Sequence, residues 1–82
     1  MKSSIIIIIP HYNDLTALYN TLLSIDEDIQ VDIIIIDDGS KKKPEHKSIE
    51  IKHTVFLRFL DKNSGIETAL NLGLDFALKK GY

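Results

Sequence analysis

The chain contains no cysteine, so neither a disulfide scaffold nor a thiolate metal site can hold it together, and a reducing cytoplasm is its expected location. It has no Pro- or Ser-rich tract to serve as a linker. With 82 residues, 44% of them hydrophobic, residues 1–82 are expected to form one domain with room for one modest core. Neither sign of charge dominates: ten Lys plus Arg against twelve Asp plus Glu leave a net charge of -2, and with it no general attraction for nucleic acid or anionic membrane. No apolar run is long enough to span a bilayer. The start, Met1-Lys2-Ser3-Ser4 followed by five isoleucines and Pro10, mimics a signal peptide, but its apolar part is too short and no small-residue cleavage site follows. Glycine is sparse where nucleotide folds need it. Pro10-His11-Tyr12-Asn13-Asp14-Leu15 holds none, so the G-x-G-x-x-G of dinucleotide domains is missing, and no G-x-x-x-x-G-K of a P-loop occurs.

What the chain does have is isoleucine in runs. Ile5 to Ile9, closed by Pro10, and Ile33 to Ile36 read as strands covered on both faces, as in parallel sheets flanked by helices. Between them Leu15, Leu18, Tyr19 and Leu22 recur at helical spacing, with Asn13 or Asp14 as the cap and a stop near Ile25, before the acidic loop Asp26-Glu27-Asp28. A β-α-β order of this kind lays the two strands parallel. After Ser40 come Lys41-Lys42-Lys43-Pro44 and a stretch with room for a short helix between Glu45 and Ile51. Val55 to Leu60 reads as a third strand. Ile66, Ala69, Leu70, Gly73, Leu74, Ala77 and Leu78 then mark one apolar face of a second helix, started by a Ser64/Glu67 capping box and stopped at Gly81. The expected architecture is a three-layer α/β/α sandwich with a mainly parallel sheet.

The second isoleucine run ends abruptly in Asp37-Asp38-Gly39-Ser40. Two adjacent carboxylates at a strand tip need a reason, and in parallel sheets ligands are met at the carboxyl ends of the strands. If the two isoleucine strands are neighbours, Pro10-His11-Tyr12-Asn13 faces Asp37-Asp38-Gly39-Ser40 across one rim. Carboxylates only accept hydrogen bonds, which suits an imide N–H or ribose hydroxyls, and a tyrosine ring can stack on a base. The same carboxylates repel phosphate. The pattern therefore favours recognition of a nucleoside.

Pro10-His11-Tyr12-Asn13, the isoleucine strand into Asp37-Asp38-Gly39-Ser40, and Asn63-Ser64-Gly65 leading to Ala69-Leu70-Asn71 and Gly73-Leu74 together resemble the nucleotide-binding half of family 2 glycosyltransferases. The resemblance spans almost the whole chain. It implies a Rossmann-like half of the GT-A fold and a nucleotide-sugar donor, a UDP-sugar in first place. Pro10 and Tyr12 would then line the base, with Asn13 in the same motif. Asp38 would accept from the base edge, while Asp37 would support the strand tip or the ribose. Asn63, Ser64 and Gly65 would sit near the ribose or diphosphate, at a positive helix N-terminus, and Asn71 matches a family position near the pocket. The family's Mg or Mn site, a D-x-D after a further strand, and its catalytic base belong to segments beyond Gly81-Tyr82, so no catalytic or metal residue is expected within this chain. Transfer by the chain alone is not expected.

Plainer readings stand beside these. Asp37-Asp38 with Gly39 can be a solubilising turn, Tyr12 can pack over the first helix, and the lysine run can be a solvated loop. His11, His46 and His53 lack metal-ligand spacing and read as surface or partly packed residues. Two other functions remain open. One is a receiver-like signalling domain with a phosphorylatable Asp. The other is a non-enzymatic fragment that forms a homo-oligomer through the uncovered, all-isoleucine edge at Ile5 to Ile9.

Overall fold

The structure is a computed structural model and describes residues 4–25, 28, 30–49 and 51–82. Met1, Lys2 and Ser3 of the signal-like start, Asp26 and Glu27 of the acidic loop, Ile29, and Glu50 of the ambiguous stretch lie outside the described residues. The elements run β1 (Ile6–His11), α1 (Leu15–Ser24), β2 (Asp32–Asp37), a 3-10 turn at His46–Ser48, β3 (Thr54–Phe59) and α2 (Ile66–Lys79). The sheet order is β1-β2-β3 and both pairings are parallel, with Ile8 beside Ile34 and Ile34 beside Phe56.

β2 is the axis of the core. All six of its residues are buried, and Ile33 to Ile36 are each 0% exposed. Successive side chains alternate between faces. Ile33 and Ile35 join Leu18 and Leu22 of α1, with Val31 and Leu57, while Ile34 and Ile36 join Ala69 of α2. The result is the expected α/β/α sandwich. Burying one isoleucine side chain contributes about 1.5–3 kcal/mol, so the unbroken run through the middle layer is what makes so small a core sufficient.

Local chemistry explains the ends of most elements. Asp14 caps α1, its Oδ1 accepting from the Ala17 N–H at 3.1 Å, and the helix stops at Ser24 where the Ile25 N–H turns back to the Leu22 carbonyl. Among the described residues between Glu45 and Ile51 only the single turn His46–Ser48 forms, without a side-chain cap. Buried His53 holds the start of β2, its Nδ1 accepting from the Val31 N–H at 3.1 Å.

Three expectations need correction. Pro10 does not close β1, which continues through His11. The Ile5 and His11 carbonyls both accept from β2, at Asp32 and Asp38, so odd-numbered backbone groups of β1 face β2 and even-numbered ones face outward. The N–H that Pro10 lacks would have pointed away from the ladder, and the strand loses nothing. Second, the apolar face of α2 is only partly buried. Ala69, Gly73 and Ala77 meet the sheet, and Gly73 lets the helix close on β1, since a Cβ there would lie 2.4 Å from Ile8 Cγ2. Ile66, Leu70, Leu74 and Leu78 remain exposed. Third, the capping box does not form: the N-cap of α2 is Gly65, and the Ser64 hydroxyl donates to the Lys62 carbonyl instead. The cause lies in the rim described next.

Candidate functional site

Three loops leave the carboxyl ends of the strands, and two buried carboxylates join them. The ladder runs one bond past each strand, from the Asp38 N–H to the His11 carbonyl and from the Leu60 N–H to the Asp37 carbonyl, both at 2.8 Å. Asp37 stands opposite His11 in the parallel register. Its Oδ1 accepts from His11 Nδ1 at 2.8 Å, and its Oδ2 accepts from the Ser40 N–H at 3.0 Å, with Lys43 Nζ at 3.5 Å. Burial pushes the Asp37 carboxyl up, but the hydrogen bonds from Ser40 and His11 outweigh it and hold the group below its ordinary value of 3.8. His11 Nε2 in turn accepts from the Asp14 N–H at 3.1 Å. With Nδ1 donating to a carboxylate and Nε2 accepting from an amide, the neutral Nδ1–H tautomer is the one that fits.

Asp38 works toward the opposite loop. Its Oδ1 accepts from the Ser64 N–H at 2.7 Å, and its Oδ2 from the Gly65 N–H at 2.9 Å and Asn63 Nδ2 at 3.1 Å. This carboxylate ties the loop ahead of α2 to the end of β2 through the Ser64 and Gly65 N–H groups, and sets a negative charge at the helix N-terminus. Gly39 makes the approach possible. Its φ of 75° is left-handed, and a Cβ there would fall 2.3 Å from the Lys62 carbonyl carbon and 2.5 Å from the Asn63 nitrogen.

Beside this network opens a cavity of about 280 Å³. Pro10, Ile66 and Ala69 give it apolar walls, and Tyr12, Asp38, Asn63 and Gly65 bring it a ring and polar groups. Tyr12 is half exposed, so its ring is available. The structure thus brings Pro10, Tyr12, Asp38, Asn63 and Gly65 of the expected site residues to one pocket. Ser64 enters through its backbone N–H on Asp38. Asp37 is buried behind the rim, and Asn13 ties two loops together, its N–H donating to Ser40 Oγ at 2.8 Å and its Oδ1 accepting from the Lys41 N–H at 2.9 Å. Asn71 is exposed on α2 and does not line the cavity.

Of the histidines read as surface or partly packed, His11 and His53 are packed to the point of burial and His46 is exposed. The register offered a signal for His11: pairing Ile5–Ile9 with the second isoleucine run sets it opposite Asp37. Of the lysine run, Lys41 and Lys42 are solvated, while Lys43 also reaches the Ser40 carbonyl at 3.1 Å. The carboxylates do not fit a divalent cation. Among the described residues no three His, Asp or Glu side chains converge, and the oxygens of Asp37 and Asp38 already face donors. Asp37 and Asp38, the acceptors that a receiver-like reading would use, are 0% and 4% exposed. Among the described residues no helix is long and apolar enough to cross a membrane.

The fold and the rim define a class: an α/β domain whose pocket lies beyond the carboxyl ends of parallel strands. Residues 6–82 match the model of the family described as Glycosyl transferase family 2. The chain belongs to that family; its role lies in glycosyl transfer, its sheet and helices are a Rossmann-like half of a GT-A fold, and the family implies a nucleotide-sugar donor. Comparison with curated proteins and with solved structures found no match.

Proposed function

We propose that the rim pocket holds the nucleoside end of a nucleotide-sugar donor, a UDP-sugar in first place. The observation that carries this reading is the pairing, around one cavity of about 280 Å³, of an available tyrosine ring with a carboxylate that keeps acceptor capacity. A carboxylate offers about four lone-pair positions. Asp38 uses three, on Asn63, Ser64 and Gly65, leaving one for an imide N–H such as that of uracil. Tyr12 supplies a stacking face, Pro10, Ile66 and Ala69 exclude water from the base, and Asn63 stands where a ribose hydroxyl would be met. The volume suits one base and sugar rather than a whole donor.

The α2 N-terminus contributes less to a diphosphate than its position suggests, because Asp38, held on the Ser64 and Gly65 N–H groups just ahead of the helix, carries the same sign of charge as phosphate. Binding of the nucleoside end should therefore not depend on a cation supplied at this rim. The test is titration of the isotope-labelled chain with uridine, UDP and ADP, each with and without manganese, followed by NMR and calorimetry. Uridine and UDP should shift the Tyr12, Asn63 and Gly65 amides, ADP should bind more weakly, and manganese should leave the uridine response unchanged. No shift at millimolar uridine or UDP removes the reading.

A further inference from the structure

We infer that the groove between α2 and the outer side of β3 is a second binding site, separate from the rim, for a phosphate monoester that carries a flat apolar body. The inference is independent of the nucleoside reading, because the two cavities share no residue.

The groove has a volume of about 390 Å³. Arg58 of β3 lines it from one side, and Leu72, Asp75, Phe76 and Lys79 of α2, with Lys80 at the helix end, line it from the other. All of these α2 residues lie on the flank toward β3, away from β1. The floor is apolar and flat: Leu72 and Phe76 are partly buried, and the Phe76 ring stands 5.1 Å from that of Phe56 on β3. Such a floor takes an aromatic or other flat body by face or edge.

The mouth is cationic. Three positive side chains and one carboxylate stand there, and the carboxylate, Asp75, is held by Lys79 at 3.0 Å. Lys80 Nζ lies 5.6 Å from the centre of the Phe76 ring and 5.8 Å from that of Phe56. This local excess of positive charge sits in a chain whose net charge is -2, so the groove attracts anions that the molecule as a whole repels.

Arg58 gives the mouth its geometry. Side chains alternate along β3, so Arg58 shares the α2 face with Phe56 while Leu57 turns to the α1 side. The Leu60 N–H donates to Asp37, which sets the even-numbered backbone groups of β3 toward β2 and turns the Leu57 carbonyl outward. Arg58 Nη1 reaches round to donate to that carbonyl at 2.8 Å, and the guanidinium carbon lies 4.9 Å from the centre of the Phe76 ring. Two contacts thus hold the guanidinium in place. They spend one of its five N–H donors, and among the described residues Arg58 makes no ion pair. A fork held this way matches two oxygens of an oxyanion. A phosphate monoester carries about 1.5 to 2 negative charges at neutral pH, which suits a mouth of several cations better than the single charge of a carboxylate.

The test is NMR titration of the labelled chain with phenyl phosphate, inorganic phosphate and benzyl alcohol at constant ionic strength. Phenyl phosphate should shift the Arg58 Nε–H and the Phe76 ring along a saturable curve, while the Tyr12 and Asn63 amides at the rim, where Asp38 repels phosphate, stay in place. Inorganic phosphate should bind more weakly at the same nuclei, and benzyl alcohol, which has the ring without the charge, more weakly still. Arg58→Lys keeps the charge and loses the fork; at this exposed position it should retain the fold by circular dichroism and weaken phenyl phosphate about tenfold. No saturable shift in the wild-type chain at tens of millimolar phenyl phosphate, equal binding of benzyl alcohol, equal affinity in Arg58→Lys, or shifts confined to the rim would each overturn the inference. So would equal binding of inorganic phosphate, which would mean an adventitious ion only.

Discussion

His11 Nδ1 and Asp37 Oδ1 lie 2.8 Å apart with both side chains buried, and through His11 Nε2 the same contact reaches the first turn of α1. One imidazole thus ties β1, β2 and α1 together behind the pocket. Replacing it with leucine keeps the volume but strands a buried carboxylate and the Asp14 amide. His11→Leu should cost about 3 kcal/mol in chemical denaturation. Nitrogen-15 shifts of the wild-type ring should report the Nδ1–H tautomer; an Nε2–H signature would mean that the ring is held differently.

Asp38 carries two tasks on one carboxylate, and Asp38→Asn separates them poorly by design of the site. An amide presents one oxygen where two faced N–H donors, so either Ser64 or Gly65 loses its acceptor. A loss of about 1–3 kcal/mol of stability is expected. If the proposed base contact is real, uridine affinity should fall at least tenfold in the same variant, measured where it remains folded. Unchanged affinity would confine Asp38 to holding the loop.

Tyr12 permits a cleaner separation because it is half exposed. Tyr12→Ala should leave stability within about 0.5 kcal/mol while removing the stacking surface, which contributes about 1–3 kcal/mol per base. Tyr12→Phe keeps the ring and should bind uridine nearly as well as wild type. Equal affinity in Tyr12→Ala and wild type would show that the ring does not touch the base.

The isoleucine runs made the strands and their parallel pairing legible, because a run buried on both faces admits few alternatives. The turn after β2 was legible as a rim for the same reason. What local pattern could not reveal was competition for hydrogen bonds. Ser64 and Glu67 satisfy the capping-box spacing, yet Asp38 arrives from another strand and takes the Ser64 N–H, the donor that the Glu67 side chain would have used. Pro10 looked like a stop because nothing in the local sequence says which side of the strand its missing N–H will face. Likewise the helical period in α2 marked an apolar face without saying which of its residues would meet the sheet; Leu70, Leu74 and Leu78 are apolar and exposed. His11 became interpretable only through its register with Asp37.

The depressed pKa of Asp37 gives stability a sign on the acid side. Its carboxylate is favoured in the folded state, so its contribution is complete above the ordinary carboxyl value of 3.8 and is lost as pH falls through the lower folded value. Wild type should therefore exceed Asp37→Asn in stability at pH 7. The gap between them should narrow as pH drops below 3.8. A gap that stays constant between neutral and acid pH would show that the carboxylate's charge is not what the rim uses.

Tyr82 and Asp32 set the corresponding limit in alkali, at the other end of the sheet. The Tyr82 hydroxyl donates to Oδ2 of Asp32, which is buried at the start of β2, and so joins the last residue of the chain to the central strand. Burial, together with the bond to Asp32 and its charge, pushes the phenol up to about 12 from its ordinary 10.0. The folded state keeps its proton where the unfolded state has lost it. The contribution is therefore complete below pH 10 and disappears as pH rises toward 12. Spectrophotometric titration of the three tyrosines should resolve one late phenol. Tyr82→Phe should abolish that late step and lower stability at pH 7 by about 1 kcal/mol, the net worth of one hydrogen bond. A late step that survives the substitution would belong to another ring, and the link between the end of the chain and β2 would have to be given up.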